Sequence, residues 1–281
     1  MTIALVTDST CDLALQTLTQ LDVRSVPLYV LFNGQTFKDG LEITCQDIFA
    51  GIKAGKKPPS TSQPSPAEFS AAYTQALERS EHVISLHISS KLSGTVGSAT
   101  LAAQDFGGRV TVVDSLTTAG GLALQVMRTR ERISEGDEVH TIVETLERIK
   151  LKMALRFGVD TLEFLKLNGR IGGAQAMIGG LLGIKPLLKL ENGRVEAASK
   201  VRGRSKMIEE IVNFFRSYVE QHGPSRVMYI FSEGGQESVA EIRSRVADLA
   251  PIDRGMLEAG AVIASHIGPG AVGVFLEPDQ V

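Results

Sequence analysis

Short apolar runs set off by longer stretches of mixed periodicity dominate the first half of the chain. Ile3 to Val6, Val83 to Ile88 and Val110 to Val113 are rich in β-branched residues, and each ends in polar or glycine-containing sequence before a helical pattern begins. None of the three alternates inward and outward positions, which predicts central strands of a parallel sheet covered by helices on both faces. Asp8-Ser9-Thr10, Ser89-Ser90 and Asp114-Ser115 then fall at the carboxyl ends of these strands, where open α/β sheets build their ligand crevice. Amphipathic spacing predicts helices near Leu122–Arg132 and Val139–Leu151.

Lys53 to Ser65 is rich in Lys, Pro, Ser and Thr and reads as a loop. Pro66-Ala67-Glu68 opens a helix running to about Arg79, with Ser65 as the N-cap and Pro66 in the first turn. In the second half, Asp160 to Leu165 predicts a strand end followed by a short helical turn that closes at Asn168-Gly169. Asn192-Gly193 separates two strand-like segments, a hairpin signal because both residues tolerate positive φ. A helix from Ser205 to about Gln221, a strand over Arg226–Phe231, a helix from Gln236 to about Asp248 and a strand over Ala271–Leu276 complete the pattern. The expected fold is α/β in two domains. Residues 1–158 form a three-layer α/β/α domain with a mostly parallel sheet, and residues 159–281 a second α/β domain of α+β character with a hairpin.

Composition narrows the function classes. A chain of 281 residues with 43% hydrophobic and 22% charged residues is an ordinary globular protein with a sizeable core. Net charge is −3 and the basic residues are interspersed with acids, so nothing supplies the phosphate-neutralising surface of a nucleic-acid binder. Cys11 and Cys45 lie at helix starts without CxxC or Cys/His spacing, so they read as buried or idle thiols and no metal site is expected. The first residues run directly into a strand pattern, and no apolar segment approaches the length of a membrane span; a cytoplasmic location is the expectation.

Three polar stretches carry candidate chemistry. Lys91 to Ala99 puts Ser93 and Gly94 at a turn just before a small-residue helix, where a hydroxyl meets either an anionic head group or the helix end itself. Asn168-Gly169-Arg170 sets a guanidinium fork in a glycine-bracketed turn, suited to a carboxylate or phosphate. The following small-residue run, Ala176 to Gly183, fits tight helix packing or the wall of an alkyl tunnel. His266 precedes Gly268-Pro269-Gly270; it is a packed histidine unless Ser93 or the Thr61-Ser62 loop lies beside it, when it can hold a proton near a carboxyl. Residue types alone also permit a serine hydrolase or acyltransferase using Ser93, His266 and an acid such as Asp8 or Asp114, although Gly-x-Ser-x-Gly is missing. A nucleotide-binding module ranks last, for want of a phosphate loop.

The order and spacing of Thr7-Asp8-Ser9-Thr10, Thr61-Ser62-Gln63-Pro64-Ser65, Ser89 to Thr95, Val113-Asp114-Ser115, Leu165 to Ile171, Lys200 to Gly203 and His266 to Gly270 resemble the DegV family over the whole length. Asn168 replaces a glycine common in the family, a change that the same left-handed conformation tolerates. The resemblance implies a non-enzymatic carrier that binds a long-chain fatty acid such as palmitate or oleate between its domains and uses no cofactor. It implies further that an ATP-dependent fatty acid kinase makes the acyl phosphate from the presented carboxyl, feeding phospholipid synthesis, with transient contact at a membrane surface. By similarity Thr61, Ser62, Ser93, Gly94 and His266 would hold the carboxyl group, and Arg170 and Arg202 would stand at the portal or face the kinase.

Overall fold

A computed structural model describes residues 1–179 and 183–280. The chain begins with β1 (Ile3–Asp8), α1 (Leu15–Gln20) and β2 (Val23–Val26), then a small hairpin of β3 (Tyr29–Phe32) and β4 (Gln35–Lys38). After α2 (Cys45–Lys53) come β5 (Ser60–Ser62), α3 (Pro66–Leu77), β6 (His82–His87), α4 (Thr95–Ala103) and β7 (Val110–Asp114). β1, β2, β6 and β7 form a parallel sheet in the order β2-β1-β6-β7, as the apolar runs predict. β1 and β6 are central and almost wholly buried, but β7 is an edge strand and only partly covered. α3 begins where expected: Ser65 accepts the Glu68 N–H while Glu68 accepts the Ser65 N–H, a capping box with Pro66 just inside it.

The Lys53 to Ser65 stretch is not all loop. Ser60–Ser62 pairs with β3, so the order β4-β3-β5 makes a small antiparallel sheet that the sequence pattern does not announce. Two helices, α5 (Ala119–Ser134) and α6 (Val139–Lys152), lead to β8 (Ala154–Gly158) and α7 (Glu163–Leu167). The hairpin of β9 (Ile184–Glu191) and β10 (Arg194–Arg202) turns at Asn192 (φ 50°) and Gly193 (φ 77°), as its sequence requires. α8 (Arg204–His222), β11 (Ser225–Phe231), α9 (Gln236–Arg245), β12 (Ile252–Glu258), α10 (Ala261–Ile267) and β13 (Val272–Pro278) follow. These strands join β8 in a mixed sheet of order β10-β9-β8-β13-β11-β12.

β8 lies before residue 159 yet belongs to the second sheet. β8 pairs antiparallel with β13 and with β9, so the second sheet begins at Ala154. The main apolar core is also shared: Leu5, Ile84 and Leu86 of the first sheet belong to one buried cluster with Leu155, Phe157 and Phe275 of the second. The two sheets therefore close on a common interior, bridged by α5, while each sheet also carries a buried cluster of its own.

Candidate functional site

A mostly apolar cavity, partly open to solvent, lies in that shared interior. β8, β11 and β13 contribute Leu155, Phe157, Ile230 and Phe275; the hairpin adds Leu190 and Val195, and α10 adds Val262 and Ile263. Polar groups enter from a few places: Thr61, Ser62 and Gln63 at β5, Ser93 before α4, Thr118 before α5, Arg170 after α7, and His266 on α10.

Thr61 and His266, 205 residues apart, are brought together: Thr61 Oγ1 lies 2.9 Å from His266 Nε2. Each is held by its own element. The β5 ladder to β3 fixes Thr61 opposite Val30. α10 is tied down at its start by Asp39 Oδ1, which accepts the Val262 N–H at 3.1 Å. At its end Asn168 Nδ2 donates to Ser265 O (3.0 Å) and Ser232 Oγ donates to Gly268 O (2.7 Å). Gly268 sits at φ 73° with the Phe164 ring against its Cα, so both conformation and space exclude a side chain there. Burial, and after it the positive Arg170 nearby, together lower the His266 pKa to about 4. A helix carboxyl end favours an imidazolium by up to about 1 kcal/mol at exposed sites, too little to offset that burial. His266 is thus neutral near pH 7, with Nδ1 buried and unpartnered.

Ser93 lines the same cavity, but its hydroxyl lies 2.8 Å from Thr95 Oγ1. Gly94 has φ −73°, which any residue adopts. Its lack of a side chain serves a close approach instead, since a Cβ there would lie 2.7 Å from Gln63 Nε2. Ser62 is exposed and donates weakly to Gln63 O at 3.4 Å. Arg170 lines the cavity, donating through Nε to Leu92 O (3.1 Å) and through Nη1 to Asn168 O (2.6 Å). Arg202 does not join the cavity lining; it is exposed at the end of β10. Met177, Ile178 and Gly179 border a separate surface cleft, so the described part of the small-residue run is not the wall of this cavity, and Gly180, Leu181 and Leu182 lie outside the described residues.

The acids of the hydrolase reading are spent elsewhere. Asp8 Oδ2 lies 3.0 Å from His87 Nδ1 and accepts the Ile88 N–H at 2.9 Å, while Oδ1 accepts from Thr10. His87 Nε2 continues to Ser85 Oγ (2.6 Å) and thence to Tyr73, all fully buried. Asp114 accepts the N–H groups of Ser90 and Leu116, stitching loops together. The polar strand ends therefore satisfy one another and the backbone, and neither Asp8 nor Asp114 reaches His266. Cys11 and Cys45 are buried free thiols; burial drives both upward in pKa, Cys45 to about 12.

Gln63 and Thr118 are cavity residues that sequence reasoning did not single out. Gln63 stood within the Thr61–Ser65 motif, whereas Thr118 had no signal beyond its place ahead of an apolar helix. Among the described residues, no helix is long and apolar enough to cross a membrane.

Comparison with known proteins agrees with this geometry. The family model described as "Uncharacterised protein, DegV family" matches residues 2–279. A DegV domain-containing protein of Deinococcus radiodurans is 56% identical over 278 residues, covering 99% of both chains. The solved structure of a DegV family protein from Thermus thermophilus, described for its fatty acid binding, superposes with a TM-score of 0.95 at 47% identity, covering 99% of this chain and 100% of that one. DegV of Bacillus subtilis, described as a fatty acid binding protein, superposes with a TM-score of 0.88 at 30% identity, again over 99% and 100% of the two chains. On its sequence and on its fold, the chain belongs to the DegV family.

Proposed function

We propose that this protein holds a long-chain fatty acid with its hydrocarbon in the apolar cavity and its carboxyl group at Thr61, Ser93 and His266. The single observation that carries the reading is the pairing of Thr61 with a neutral His266 at a polar corner of an otherwise apolar cavity. Fatty acid binding by the DegV proteins of Thermus thermophilus and Bacillus subtilis supports it. Each methylene removed from water contributes about 0.8 kcal/mol, so a sixteen-carbon acid gains roughly 10 kcal/mol before the cost of association. The carboxylate is expensive to bury unless donors meet it. In the neutral tautomer with a proton on Nε2, His266 donates to Thr61 Oγ1 and frees the Thr61 hydroxyl to donate to the ligand. Ser93 supplies a second hydroxyl, Ser62 and the backbone at Gly94 complete the polar corner, and Arg170 faces the carboxyl from the rim.

A carrier of this kind leaves the acid end near solvent, where a partner ATP-dependent kinase can convert it to an acyl phosphate for phospholipid synthesis. Arg170 at the rim and the exposed Arg202 are the cations placed to meet that kinase or the new phosphate, and delivery would involve transient contact with a membrane surface. The protein itself needs no nucleophile. His266 Nδ1 has no carboxylate partner and Ser93 engages Thr95, so the serine-hydrolase alternative lacks its relay.

Native mass spectrometry of the purified protein, before and after delipidation and addition of palmitate, tests the binding. One acid per chain is expected; a delipidated protein that takes up neither palmitate nor oleate contradicts the reading. ATP-dependent formation of acyl phosphate from the loaded protein with a fatty acid kinase tests the second half.

A further inference from the structure

Thr118 occupies the N-cap of α5 with the extended backbone (φ −158°, ψ 176°) that suits a capping threonine, yet its side chain makes no capping hydrogen bond. Its hydroxyl is instead buried, has no partner, and belongs to a residue lining the cavity. The backbone around it is unusual: Leu116, two residues before, and Ala119, directly after, adopt left-handed φ values of 52° and 48°. Such conformations are strained for residues with a Cβ and persist where the surroundings hold them. An unpaired buried hydroxyl is also costly, and the same threonine would be cheaper turned back onto the helix.

The neighbourhood is the polar corner. Ser89 N–H donates to Thr117 O at 2.8 Å, and Ser93 N–H donates to Ser89 O at 3.1 Å, so the segment leading into α5 lies against the turn that carries Ser93. α5 is 16 residues long, and its amino end adds positive potential on this side of the cavity. A carboxylate offers about four lone-pair sites on two oxygens, more than the hydroxyls of Thr61 and Ser93 can satisfy.

We propose that Thr118 is a carboxyl-binding residue: its hydroxyl donates to the oxygen of the bound acid that Thr61 does not hold, so the head group bridges the α10 side and the α5 side of the cavity. This rests on the fatty-acid reading above. The orphaned hydroxyl is then the unliganded half of a hydrogen bond, and the failure to cap α5 keeps that hydroxyl available.

Thr118→Val tests the proposal, because valine keeps the β-branched shape and removes only the hydroxyl. Binding of palmitate, hexadecanol and methyl palmitate is measured for both proteins, together with denaturant unfolding of the delipidated forms. Palmitate affinity is expected to fall about ten-fold, the scale of losing a hydrogen bond to a charged group, while hexadecanol and methyl palmitate affinities stay within two-fold. The delipidated variant is expected to be at least as stable as the parent, since a hydroxyl without a partner disappears. Equal losses for all three ligands, unchanged palmitate binding, or a clear loss of stability marking a hidden cap would each overturn the assignment. If the parent protein binds no palmitate, the fatty-acid reading itself fails; if it binds and Thr118→Val binds equally well, only the role of Thr118 does.

Discussion

Replacing His266 by glutamine should alter how stability responds to pH. In the folded protein burial holds the imidazole neutral down to about pH 4, against an ordinary value of 6.5. Between those values the unfolded chain binds a proton that the folded chain refuses, so the contribution of His266 to stability is complete above pH 6.5 and is lost as pH falls toward 4. At 1.36 kcal/mol per pH unit, the loss between about pH 7 and about pH 4.5 amounts to roughly 2–3 kcal/mol. Asp12 and Asp39 act the other way. Their carboxyls are raised by burial and, for Asp12, by the neighbouring Asp39, so they favour the folded state as pH falls. Both remain in the variant and cancel in the comparison. Urea unfolding of the parent and of His266→Gln at the two pH values should show the parent losing about 2–3 kcal/mol more than the variant. Equal losses would refute the picture of a histidine kept neutral by burial.

Four further outcomes follow from the same geometry. Thr61→Val removes the 2.9 Å partner of His266 Nε2 and should cost about 1–3 kcal/mol in denaturant unfolding of the delipidated protein, as well as weakening palmitate binding. Val195→Phe projects a ring into the apolar cavity from the hairpin, so palmitate binding should drop at least about ten-fold in a calorimetric titration while octanoate binding is retained. Gly172→Ala meets both a left-handed φ of 51° and the Val195 carbonyl, and a loss of roughly 1–3 kcal/mol is expected from the urea midpoint. Asp8→Asn disturbs the buried hydrogen bonds to His87 and Thr10 and should destabilise by about 1–3 kcal/mol in urea unfolding, without loss of palmitate binding.

The parts of the fold legible in the sequence are those that bury continuous apolar runs. β1 and β6 are central strands with nearly every residue inside, and the Asn192-Gly193 hairpin has a turn that few other residues could make. The small sheet was hidden because β4 is exposed and β5 consists of Ser60-Thr61-Ser62, three polar residues held by their ladder to β3 and not by any hydrophobic pattern. β12 is equally unreadable, since Ile252-Asp253-Arg254-Gly255 breaks alternation and the strand shifts register against β11. β8 is also hard to read, because Ala154-Leu155-Arg156 carries a cation mid-strand, where Arg156 lies over the Phe214 ring, 4.5 Å from its centroid.

The candidate site was legible only in pieces. Thr61, Ser93 and His266 belong to separate segments, and their convergence depends on how β5, the loop before α4 and α10 pack, which no local spacing encodes. The resemblance to the DegV family supplied that grouping, and the cavity contains all three. Arg202 was grouped with Arg170, yet only Arg170 reaches the cavity rim. Thr118 escaped notice because a threonine before a helix normally caps it, and only the folded structure shows its hydroxyl buried, uncapped and without a partner.

Carbon-13 NMR of palmitate labelled at the carboxyl carbon would probe the head-group contact itself. The parent protein should give one slowly exchanging bound resonance, distinct from free palmitate, that moves in Thr61→Val and in His266→Gln. No bound resonance, or one that stays in place in both variants, would contradict a carboxyl group held at Thr61 and His266.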